Sequence, residues 1–82
     1  MTREERIAVL RKFYIKRKVV ENMGDGYAIC MHTGSERRAG HLLTEECGVT
    51  AAEIEELKRE FDQEIEKAGI NSDQFRAIYN SP

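Results

Sequence analysis

The chain has no tryptophan, one proline, two cysteines and only three Phe and three Tyr among 82 residues. The lone proline, Pro82, follows the last helical pattern and interrupts none. Cys30 and Cys47 are too few for the disulfide framework of a small secreted domain, so reduced thiols are expected. No apolar run approaches the roughly 20 residues of a membrane span, and Met1-Thr2-Arg3-Glu4-Glu5 lacks the character of a signal peptide. The expected compartment is therefore the cytoplasm, with no membrane among the partners. There is also no nucleophile elbow, no Walker loop and no metal-protease helix. Gly24-Asp25-Gly26 is too short to cradle a phosphate, and a chain this small leaves little room for a pocket with supporting residues. The expectation is a protein that is not an enzyme and needs no cofactor.

What the chain does have is charge. Charged residues make up 34% and hydrophobic residues 40%, a balance that suits a small globule and argues against wholesale disorder. Residues 1–82 are expected to form a single helical domain, near the lower size limit for one unaided core. The net charge of −2 conceals a division. Residues 1–41 hold nine Arg/Lys against five Asp/Glu, and residues 42–82 hold four against ten. Such polarity can steer partners of either sign, or simply solvate two faces.

The clearest helix runs from Val49 to Ala68. Thr50 is a good N-cap, Glu53 completes a capping box, and Val49 and Ile54 occupy hydrophobic-staple positions. Ile54, Leu57, Phe61, Ile65 and Ala68 then form one apolar stripe, which Gly69 can close. The same grammar recurs at Gly69-Ile70-Asn71-Ser72-Asp73-Gln74-Phe75. It predicts an Asn71 cap answered by Gln74, an Ile70–Phe75 staple and a short helix from Ser72 to about Tyr79. Two copies are too few for a repeat architecture.

Thr2 to Glu5 forms another capping box, leading into a helix from Arg6 to about Met23. Ile7, Leu10, Phe13 and Tyr14 share one side of it; Arg17 interrupts that side, and Val9, Ile15 and Val19 lie elsewhere. Residues 27–33 fit either a strand paired with Lys16 to Glu21 across the glycine turn or a short helix capped by Asp25, and the helix is preferred because the rest of the chain reads as helical. Gly34-Ser35 reads as a second break, followed by a helix from Glu36 to Cys47 that Gly48 closes. The fold class is thus mainly α, a compact bundle of four to five short helices, with a small β-hairpin around residues 16–32 as the alternative there. The expected core is Ile7, Leu10, Tyr14, Leu42, Leu43, Ile54, Leu57, Phe61, Ile65, Phe75 and Ile78. So thin a core leaves room for a homodimer that buries part of the long stripe.

Four constellations bear on function. His41 to Leu57 has the apolar offsets and turn glycine of a helix-turn-helix, but its second helix offers Ala51, Ala52, Glu55 and Glu56 where base edges call for Arg, Lys, Asn or Gln. A packed corner accounts for it without DNA. The basic N-terminal helix, with Arg11, Lys12, Lys16, Arg17 and Lys18, joins Arg37 and Arg38 as candidates for phosphate contact. Those charges also fit solvation, or attraction to the protein's own acidic helix. Glu53, Glu56, Glu60 and Glu64 step along one flank of the apolar stripe, spaced by about 5–6 Å, and could occupy a basic groove on another protein. Cys30, His32, His41 and Cys47 are four conceivable zinc ligands within eighteen residues, without the paired spacing of common structural sites.

In overall texture the chain resembles small proteins of phages and other mobile elements, a resemblance carried by no specific motif. The leading expectation is a non-enzymatic regulatory protein of that type, an inhibitor that presents its acidic helix to a basic nucleic-acid-binding protein. The alternatives are a DNA-binding regulator using the helix-turn-helix or the basic helix, and a small zinc-stabilised domain. A protein partner is expected first, nucleic acid second.

Overall fold

The computed structural model covers Met1–Pro82 and contains four α-helices and no strand: α1 (Arg3–Met23), α2 (Gly26–Cys47), α3 (Ala51–Ala68) and α4 (Asp73–Asn80). Thr2 and Thr50 each accept a backbone N–H from three residues on, and Glu5 and Glu53 accept the cap N–H in return, so both capping boxes form. Donors that a helix start leaves open are thereby satisfied. Val49, 1% exposed, packs in the same cluster as Ile54, as the staple requires. Gly24 and Gly48 end α1 and α2 at φ 79° and 68°, where a residue with a β-carbon would be strained.

The start of α4 departs from the repeat. Ser72, not Asn71, is the N-cap residue, and its side chain makes no capping bond. Asn71 Oδ1 instead accepts from Asn22 Nδ2 of α1 at 3.1 Å, a tertiary contact that local grammar cannot foresee.

Two further expectations are corrected. No hairpin forms around residues 16–32. The Gly24 N–H bonds back to Val20 and Glu21, while the Asp25 side chain accepts the Ala28 N–H at 3.2 Å, so the glycine turn closes one helix and caps the next. Gly34-Ser35 is no break either, and the helices therefore number four. Thr33 and Ser35 return their hydroxyls to the carbonyls of Ile29 and Met31, at 2.7 and 3.3 Å, which lets both polar residues stay inside a continuous α2.

α1 is the hub against which α2, α3 and α4 each pack. On one side Leu10 and Tyr14 meet Ala39 and Leu43 of α2, Val49 of the turn and Phe61 of α3. On the other, Ile15 and Val19 meet Phe75 of α4, which is fully buried. The modest amphipathicity of α1 is thus the signature of a helix covered on two sides. Ile15, Val19, Val20, Ala39 and Val49 belong to the core although the single-stripe reading omits them. Ile7, Leu42, Ile54, Leu57, Ile65 and Ile78 are only half-buried, because α3 and α4 cap the α1–α2 pair from outside and keep their rims in water.

Candidate functional site

α3 lies along the N-terminal half of α1, and charge stitches the seam. Arg3 Nη2 reaches Glu53 Oε2 at 3.0 Å at one end. At the other end Arg11 grips both carboxylate oxygens of Glu64, its Nε donating at 3.1 Å. Tyr14 Oη donates to Asp62 at 2.6 Å, closing the seam toward the core. The bonds shift the titrations accordingly. Glu53 is held below the ordinary carboxylate value by the Thr50 N–H and hydroxyl and then by Arg3; Glu64 is held down by Arg11. Burial, with Asp62 beside it, pushes the Tyr14 phenol well up.

Between these pinned ends the seam opens into a depression of about 190 Å³. Ile7 and Leu57 line it together with Arg3, Glu53, Glu56 and Glu60. Glu56 accepts from Arg59 of its own helix at 2.7 Å in an exposed pair, a contact of small energetic value. Glu60 has no hydrogen-bonded or ion-paired partner. The four glutamates singled out from spacing therefore divide: Glu53 and Glu64 are tied to α1, while Glu56 and Glu60 face outward over an apolar floor.

The basic candidates are mostly engaged within the chain. Arg17 donates to Glu36 at 2.7 Å and to Glu21 at 2.5 Å, and Lys58 approaches the other oxygen of Glu36 at 3.4 Å. Lys16 is 6% exposed, donates to the Ser81 carbonyl at 2.5 Å, and has its pKa lowered by burial and by neighbouring Lys12. Lys12 donates to the Pro82 carbonyl. Lys18 lies over the Tyr14 ring at 5.4 Å. Arg37 and Arg38 alone among these candidates are exposed with neither a carboxylate nor an aromatic ring against them.

The corner α2–Gly48-Val49-Thr50–α3 is present, and its second helix exposes Ala51, Ala52, Glu55 and Glu56. The four zinc candidates all lie on the continuous α2, which spreads Cys30 and Cys47 over roughly 25 Å of helix and turns Cys30 and His32 to opposite sides. No group of three or more His, Cys, Asp or Glu is placed to hold a metal ion. His32 instead sets its ring edge-on to Tyr79, at 6.1 Å between centroids.

Sequence reasoning missed Met23, Tyr27 and Met31, which stand 62%, 79% and 57% exposed. The apolar run Tyr27 to Met31 suggests burial, and only α2's continuity shows which of its residues face away. The surface has three depressions, the largest about 220 Å³, below the roughly 300 Å³ at which ligand pockets begin. No helix is long and apolar enough to cross a membrane. No protein-family model, curated protein or solved structure matches the chain.

Proposed function

We propose that the chain is a non-enzymatic regulatory protein that docks a basic macromolecular partner in the cleft between α1 and α3. The observation that carries this reading is the pair Glu56 and Glu60, set over Ile7 and Leu57 between two anchored ion pairs. A lysine or arginine of the partner would lay its alkyl stem on the apolar floor and bring its cation to the carboxylates. Arg3 and Arg11 hold the flanking glutamates, so the site is preorganised. A partner that uses such cations to grip nucleic-acid phosphate would lose them here, and inhibition of that partner is the corresponding activity. Phosphate contact by α1 is disfavoured because most of its cations already serve internal carboxylates or carbonyls.

The test is an amide-shift titration with a lysine-rich helical peptide, alongside a DNA duplex as comparison. The expected result is salt-sensitive binding of the peptide, shifts centred on Ile7, Glu56, Leu57 and Glu60, and loss of binding in E56K/E60K. Unchanged affinity in that variant, or tighter binding of the duplex, overturns the proposal.

A further inference from the structure

The outer face of α2 touches no other helix over most of its length. Tyr27, Met31, Gly34, Arg38 and Leu42 recur there at three- and four-residue steps, a stripe about 22 Å long. Beside its C-terminal half runs an apolar groove of about 210 Å³, in which Leu42 and Ala39 face Val9 and Phe13 of α1, with Arg38 at the rim. Two observations set this face apart. Arg3, Arg6, Arg11, Arg17 and Arg59 each have a carboxylate partner, whereas Arg37, Arg38 and Arg76 have none, and of these only Arg37 and Arg38 stand side by side. Between Asp25 and Glu45 the only acidic residue of α2 is Glu36, which is buried, so the only formal charges exposed on that stretch are the cations of Arg37 and Arg38. Gly34 adds a third feature. It sits inside the helix with nothing within 4 Å of where a β-carbon would be, so no packing within the chain explains a residue that weakens a helix.

We infer that this face is a docking surface for an acidic amphipathic helix of a partner protein. Apolar anchors of that helix would meet Tyr27 and Met31 and enter the Val9–Phe13–Leu42 groove, carboxylates beside them would reach Arg37 and Arg38, and the two backbones would approach most closely at Gly34. A second copy of this chain fits less well, since its exposed acidic helix, α3, shows no large apolar side chain on its outer face. Nucleic acid fits less well too: two arginines are a weak phosphate footprint, and they leave the apolar groove unused. This surface lies on α2 and does not depend on the α1–α3 cleft.

The probe is a synthetic helix of about 18 residues, roughly five turns, with leucines along one face and glutamates flanking them. Amide shifts are expected along Tyr27 to Leu42 and at Val9 and Phe13. The same peptide with serine for leucine should not bind. R37E/R38E should weaken binding by about tenfold or more. Gly34→Gln should weaken it as well while raising thermal stability, because the new side chain meets open space and glutamine is the better helix former. Shifts confined to other residues, equal binding of the serine peptide, or unaltered affinity in R37E/R38E overturn the inference. So does binding of a DNA duplex to these same amides at physiological salt, or a dimer of the protein alone that already covers them.

Discussion

At the scale of single residues, Glu36 is a carboxylate only 7% exposed, and it is stable there because Arg17 and Lys58 approach it from α1 and α3. Removing one member of such a buried set leaves the others without compensation. Glu36→Ala should therefore destabilise the protein by about 2 kcal/mol in urea unfolding, less than the full cost of a broken buried pair because Arg17 keeps Glu21. Gly34→Ala should act in the opposite sense, adding about 0.5–1 kcal/mol, since the site is helical and open. Neither effect is visible in the sequence. Glu36 reads there as one more surface glutamate because its burial is set by Arg17 and Lys58, nineteen and twenty-two residues away, and Gly34 reads as a break because glycine beside serine weakens a helix wherever it stands.

At the scale of elements, α4 is the piece most dependent on its surroundings. Eight residues do not sustain a helix alone, and Phe75 supplies its fully buried anchor. Phe75→Ala should cost about 3–4 kcal/mol, and hydrogen exchange should show α4 losing protection while α1 to α3 retain theirs. His32 gives the same junction a pH dependence. It faces the Tyr79 ring of α4 and Lys16 of α1, and its pKa is lowered by burial and then by Lys16. The folded state binds that proton more weakly than the unfolded chain. Stability from His32 is therefore whole above the ordinary imidazole value of about 6.5 and is lost as pH falls through the lower folded value. A thermal series from about pH 7 to 5 should show this slope, and H32Q should flatten it. Much of the element plan was legible in sequence. Capping boxes at Thr2 and Thr50 and the glycines at 24 and 48 mark three helices by local hydrogen-bonding chemistry alone. The Tyr27–Thr33 stretch was legible only in part: the Asp25 cap and the helical surroundings favour a helix, but a short apolar run carries no period that excludes a strand, and the α1 surface beneath it decides.

For the whole molecule, the sequence division into a basic first half and an acidic second half becomes an internal match. Arg3, Arg11 and Tyr14 of α1 meet Glu53, Glu64 and Asp62 of α3, so much of the charge asymmetry is consumed in holding α3 on. The candidate cleft was legible as four glutamates in a row, but which of them remain open to a partner depends on the register of α3 against α1, which spacing does not reveal. Because these ion pairs lie at a half-exposed seam, they are screened by salt. Raising ionic strength should loosen α3 before it loosens the α1–α2 pair, measurable as earlier exchange of α3 amides. The hub position of α1 also bears on synthesis. It is made before α2 and α3, and the residues that cover its second apolar side, Phe75 above all, follow only after both. While the intervening chain emerges, Ile15 and Val19 remain uncovered, and this helix is the part of the nascent protein most open to chaperones, to proteases and to its own neighbours.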